Sequence, residues 1–119
     1  LFEIGKKLAP LRDEGYLIMG SGFLTHGLPF LKEWSIDATP PGWSIEFDIW
    51  AKEVLERGAI DELMNYKSLA PGLPFAHPTV EHFAPIFITL GASGDPEVAP
   101  KTKIDGYWMG LAKRSFEVA

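Results

Sequence analysis

The chain has 119 residues, 46% of them hydrophobic and 23% charged, with a net charge of −5. That describes one ordinary globular domain or a piece of one, and it argues against disorder. No basic cluster exceeds Lys6-Lys7 or Lys113-Arg114, so binding to nucleic acid or to an anionic membrane is not expected. With no cysteine, there is no disulfide framework, thiolate metal ligand or cysteine nucleophile. No apolar run reaches the roughly 18 residues of a membrane span, and no signal-peptide pattern opens the chain, so the expectation is a cytoplasmic protein.

The pattern Phe2, Ile4, Leu8 and Leu11 against Glu3, Lys6, Lys7 and Arg12 predicts an amphipathic helix over residues 1–12, with Gly15 as its left-handed cap. Leu1 opens on that helix with no capping residue before it, so the chain is expected to be part of something longer. Tyr16 to Gly20 is a short continuous apolar run, predicted as a strand buried in a sheet. Residues 20–41, rich in glycine and proline, read as loop with a helical turn near Phe30–Trp34. Ser44 is the expected N-cap of a helix from Ile45 to Leu55, with Ile45, Ile49, Trp50 and Val54 as its core face and Arg57-Gly58 as its end. A short helix from Ile60 to Tyr66 follows. A loop then leads to Pro78 in the first turn of a helix from Thr79 to Leu90, stopped by Gly91. The tail from Ile104 to Val118 alternates and is predicted as strand with a bulge at Gly110. The fold class is α/β, with a mixed or parallel sheet flanked by helices.

Chemistry concentrates in three histidines. His77 and His82 lie with Glu81 in His77-Pro78-Thr79-Val80-Glu81-His82-Phe83, and His26 follows the apolar run in Ser21-Gly22-Phe23-Leu24-Thr25-His26-Gly27-Leu28. Imidazole is the usual proton carrier near neutral pH and a common ligand of transition metals. In α/β folds, ligands gather where strands end. Spacing alone also permits structural roles: His82 packed with its ring bonded to a carbonyl, and His77 as a cap, a surface residue, a substrate contact or an outer hydrogen-bond partner of the site. Trp43 and Phe75 are candidate walls of a pocket.

The motifs together resemble a known family. Leu8-Ala9-Pro10-Leu11-Arg12-Asp13-Glu14-Gly15, Gly20-Ser21-Gly22 with Thr25-His26-Gly27-Leu28, and Ala76-His77-Pro78-Thr79 with Glu81-His82-Phe83 and Gly91-Ala92 resemble the class III extradiol ring-cleavage dioxygenases of the LigB superfamily. The nearest branch is the DOPA 4,5-dioxygenase type. The resemblance implies an oxidoreductase that opens a catechol with O2 at a mononuclear non-haem Fe(II), sometimes replaced by zinc. It implies His82 as a metal ligand and His26 as the acid/base beside the substrate, and leaves the roles named above for His77 open. Gly27 stands where the family has Asn, and Val80 where it has Pro. The family's two other metal-ligand histidines, in His-Gly-Ser-Pro and Ser-Ala-His motifs, do not occur here. The resemblance therefore covers the C-terminal half of such an enzyme. Residues 1–119 are expected to be the C-terminal portion of one catalytic domain, completed by a missing N-terminal half or a partner chain.

The partners so implied are a small aromatic diol and O2, with homo-oligomerisation left open. His26 and His82 should converge on one cleft, with rings within about 10 Å if they serve one substrate. Two other readings compete: a non-catalytic metal- or ligand-binding scaffold on the same fold, and a small zinc-binding domain completed by self-association through His77 and His82.

Overall fold

The computed structural model describes residues 1–119 and contains seven α-helices, one 3-10 turn (Leu28–Phe30) and four short strands. The N-terminal helix forms as two pieces, α1 (Phe2–Leu8) and α2 (Pro10–Asp13). The break falls at Pro10, whose ring nitrogen cannot donate to the helix ladder but suits a new first turn. Gly15 beyond it takes φ 90°, as expected of the cap.

Tyr16 to Gly20 departs from expectation. The stretch is not part of a sheet, and Tyr16, Leu17 and Met19 are 61%, 80% and 76% exposed. The backbone of Leu17 to Gly22 makes no hydrogen bond within the chain. An apolar run becomes a buried strand only when a neighbour completes its ladder, and no segment of this chain pairs with it. The predicted helices at Ser44 and Thr79 accordingly do not pack on a sheet there.

Helix α3 (Gly42–Glu56) is the longest and forms the middle of the core. Around it lie α4 (Ile60–Met64), α5 (Tyr66–Leu69), α6 (Leu73–Ala76) and, beyond these, α7 (Pro85–Gly91), which packs on α1. The buried stripe of α3 is Ser44, Phe47, Asp48, Ala51, Val54 and Leu55, a clean i, i+3, i+4 pattern. Ile45 and Ile49, expected in the core, are 36% and 49% exposed. Ser44 is not the cap either. It sits inside the helix, and its hydroxyl shares a hydrogen bond of 2.9 Å with Thr25 Oγ1. Helix α7 begins at Pro85 rather than Thr79, and residues 81–84 form turns ahead of it. Within a longer helix, Pro85 would lose one ladder bond and clash with the carbonyl four residues earlier.

The tail folds as two antiparallel ribbons, β1 (Lys101–Ile104) with β4 (Ser115–Glu117), and β2 (Tyr107–Trp108) with β3 (Leu111–Ala112). Gly110 is not a bulge. Met109 and Gly110 both take positive φ, 53° and 78°, giving a two-residue turn whose twist matches its strands. The α/β class read from the sequence is thus carried here by helices and small antiparallel ribbons.

Arg114 anchors the tail to α3. Its Nε and Nη2 donate to Asp48 Oδ1 and Oδ2 at 2.7 and 2.8 Å, with both side chains under a tenth exposed. Removing one partner leaves the other charge buried and alone. Asp48→Ala is therefore expected to cost about 3 kcal/mol in urea unfolding, and a change within about 0.5 kcal/mol would show that the pair does not anchor the tail.

Candidate functional site

The site is built on an irregular segment, Phe23 to His26, that bends at Leu24 and runs into the core. Leu24 and Thr25 are 6% and 0% exposed. Neighbouring segments hold it on several sides. Phe23 N–H donates to the His82 carbonyl at 3.0 Å, and His26 N–H donates to the Ala76 carbonyl at 2.7 Å. His77 Nε2 lies 2.7 Å from the Leu24 carbonyl oxygen. Thr25 Oγ1 accepts from Ala112 N–H at 2.8 Å, besides its bond with Ser44.

These ties bring two of the three histidines face to face. The His26 and His82 rings stack with centroids 3.5 Å apart and planes 14° from parallel. His77 is buried at 4% exposure, with its ring against Phe47 and Phe83 at 5.2 and 5.0 Å. That burial corrects the zinc reading, because His77 has one nitrogen bonded to a carbonyl and the other enclosed without a partner.

The electrostatics favour a neutral His26. Burial, then the neighbouring His82, hold its pKa below the ordinary histidine value, against a smaller opposing pull from Glu81. A neutral imidazole near pH 7 can accept a proton. Glu81 Oε1 lies 3.7 Å from His82 Nδ1, a nitrogen that is enclosed and makes no hydrogen bond. The Thr79 hydroxyl donates to Glu81 Oε1 at 2.7 Å. That bond, with a backbone one, keeps the carboxyl below the usual carboxylate range.

Gly27, next to His26, is walled in. A Cβ there would run into the Phe75 carbonyl oxygen and the Trp43 ring, so no larger residue fits this backbone. Trp43 is half-buried, while the Phe75 ring is exposed and meets Phe30 edge-on at 5.0 Å. His82 also borders a cavity of about 150 Å³ with Phe23, Arg114 and Phe116 in its wall. His26 does not border that cavity, so it is not a space the two rings share.

The donor set here is incomplete for a metal centre. No three His, Cys, Asp or Glu side chains are grouped to hold an ion. Imidazole lone pairs lie in the ring plane, so two face-to-face rings do not both aim at one ion between them. Thr25 and Ser44 belong to the site although the sequence reading did not single them out. The signal available for Thr25 was its place beside His26.

Comparison with known proteins shows the family. The family described as the catalytic LigB subunit of aromatic ring-opening dioxygenase matches residues 1–110. The chain is 39% identical over 94 residues to a 4,5-DOPA dioxygenase extradiol of Beta vulgaris, covering 79% of this chain and 34% of that protein. It is 36% identical over 114 residues to a protein of the same name in Escherichia coli K12, covering 92% of this chain and 40% of the other. The crystal structure of an uncharacterized protein from Escherichia coli K12 matches it with a TM-score of 0.84 at 34% identity, over 99% of this chain and 49% of that one. The chain belongs to the LigB family of aromatic ring-opening dioxygenase subunits. It spans about a third to two-fifths of the length of these curated relatives.

The buried His77 makes the site acid-labile. Burial pushes its pKa down to about 4, while the unfolded residue titrates near 6.5. The unfolded chain therefore binds the proton first, and stability is full above pH 6.5 and falls as the pH drops toward about 4. The contribution lost is about 3 kcal/mol at roughly 1.4 kcal/mol per pH unit. Urea unfolding across this range should show the loss, and His77→Gln should flatten it. An equally steep fall in that variant would place the acid lability elsewhere.

Proposed function

We propose that this chain is part of an extradiol dioxygenase that opens a catechol ring with O2 at a mononuclear non-haem Fe(II), with zinc able to replace the iron in purified protein. The observation that carries the reading is the meeting of His26 and His82 at 3.5 Å in a chain of this family. The relatives named as DOPA dioxygenases favour a DOPA-like or other aromatic diol as substrate. His82 would be this chain's ligand to the metal, through Nε2, because its Nδ1 is enclosed. When bound, the iron supplies a Lewis acid that holds diol and O2 side by side. His26, kept neutral by its surroundings, would take a proton from a catechol hydroxyl and return one as the ring opens.

Residues 1–119 would be the C-terminal portion of a single catalytic domain. Two features support this: the absence of a three-donor cluster and the open apolar edge at Leu17 to Gly22. An unpaired extended edge of this kind takes up another strand. The remainder of a longer chain, or a partner chain, would supply both that strand and the missing ligands. The incomplete donor set also favours a second reading, a non-catalytic scaffold on the same fold.

The readings separate in the intact protein loaded anaerobically with Fe(II). The enzyme reading expects ring cleavage, followed as the yellow semialdehyde product. It expects His82→Ala to lose both iron and activity. His26→Ala should keep its iron and lose turnover by about 10²- to 10⁴-fold, the usual worth of a general acid–base group. Iron retained by His82→Ala, or turnover unchanged in His26→Ala, would sink these assignments. No iron and no turnover in the unmodified protein would favour the scaffold.

A further inference from the structure

His77 is the most deeply buried of the three histidines, and its residue type is not explained by packing. The ring lies against Phe47 and Phe83, a setting that an apolar ring of similar size would fill. Its Nδ1 is buried with no partner, which is unfavourable for a polar atom. What the imidazole supplies is one bond. The Leu24 carbonyl can only accept, so Nε2 carries the proton and donates to it across 2.7 Å.

That bond is half of a grip. Ala76, the preceding residue, accepts from His26 N–H at 2.7 Å. Residues 76 and 77 therefore hold the 24–26 segment at both ends, one through its backbone and the other through its side chain. The Leu24 carbonyl has no other hydrogen-bond partner. Without the His77 donor it would be left buried and unpaired, and the backbone would have to turn to satisfy it. His26 is two residues further on, and a turn of that backbone swings its ring away from His82.

We propose that His77 is a positioning residue: its Nε2–H fixes the Leu24 carbonyl and so keeps His26 stacked on His82. The consequence for catalysis rests on the dioxygenase reading, whereas the geometric role does not. At 4% exposure, with one nitrogen committed and the other enclosed, His77 acts through His26 and not on substrate.

The test uses the intact protein, prepared free of metal, with isotope-labelled histidine and phenylalanine rings and two variants. His77→Gln can place an amide N–H where Nε2 stands. His77→Phe fills the space without a donor. NMR should report His77 as the Nε2–H tautomer and show through-space proton signals between the His26 and His82 rings. Gln should preserve those signals. Phe should weaken them several-fold while the corresponding signals between Phe83 and Phe87 persist. A role in packing alone would be met by Phe, so inter-ring signals at full intensity in that variant overturn the proposal. An Nδ1–H tautomer overturns it as well. If the Phe variant does not fold, the Gln variant decides: His26 still stacked on His82 supports the grip, and rings that have separated in a folded protein refute it. In the iron-loaded intact protein, His77→Phe should lower kcat at least tenfold with KM little changed, and Gln should restore it. Inter-ring signals that respond as stated in a protein with no turnover would refute the dioxygenase reading and leave the positioning role standing.

Discussion

The site depends on how a buried, irregular segment satisfies its backbone. Phe23 to His26 crosses the core without a sheet partner, and a buried polar backbone must be paired or it destabilises the fold. Here the pairing comes from the His82 carbonyl, the Ala76 carbonyl and the His77 ring, while the Thr25 side chain adds ties to Ser44 and Ala112. Satisfying the segment therefore also fixes where its side chains point. The stacked His26 and His82 rings are the product of that constraint, because Phe23 is bonded to the very residue whose ring His26 meets.

The same logic explains the polar stripe of α3. Ser44 and Asp48 are buried on the core face because Thr25 and Arg114 lie opposite them. Reading hydropathy alone rotates the helix onto Ile45 and Ile49, which stand at the surface. Polar residues that find partners inside are invisible to a periodicity of apolar ones. The start of helix α7 is displaced from expectation for a related reason. Pro78 carries the sequence signal for a helix start, while Pro85 sets the true one by its missing donor.

What the sequence made legible was the family. The motifs around His26, His77 and His82 resembled the family that the chain belongs to. The meeting of His26 and His82 was expected of the protein with its neighbouring sequence, and it is already present in this chain. The first helical segment, its end at Gly15 and the approximate α3 span were also readable, whereas the break at Pro10 was not. The Tyr16 to Gly20 strand was not, because a strand is a property of two segments, and no segment of this chain pairs with this one. Its apolar side chains stand exposed and its backbone beyond Tyr16 unpaired as a result. The hairpin turn was hidden by Met109, a residue that seldom adopts the left-handed backbone it takes here.

The central claim is that His82 binds the catalytic metal while His26 stands beside it as a proton carrier. A crystal structure of the intact, Fe(II)-loaded protein, with the metal located by anomalous scattering, tests this most directly. The account predicts iron about 2.1 Å from His82 Nε2, a typical metal–imidazole distance, with His26 adjacent and unbonded to it. Iron bound to His26, or lodged away from both rings, would contradict it.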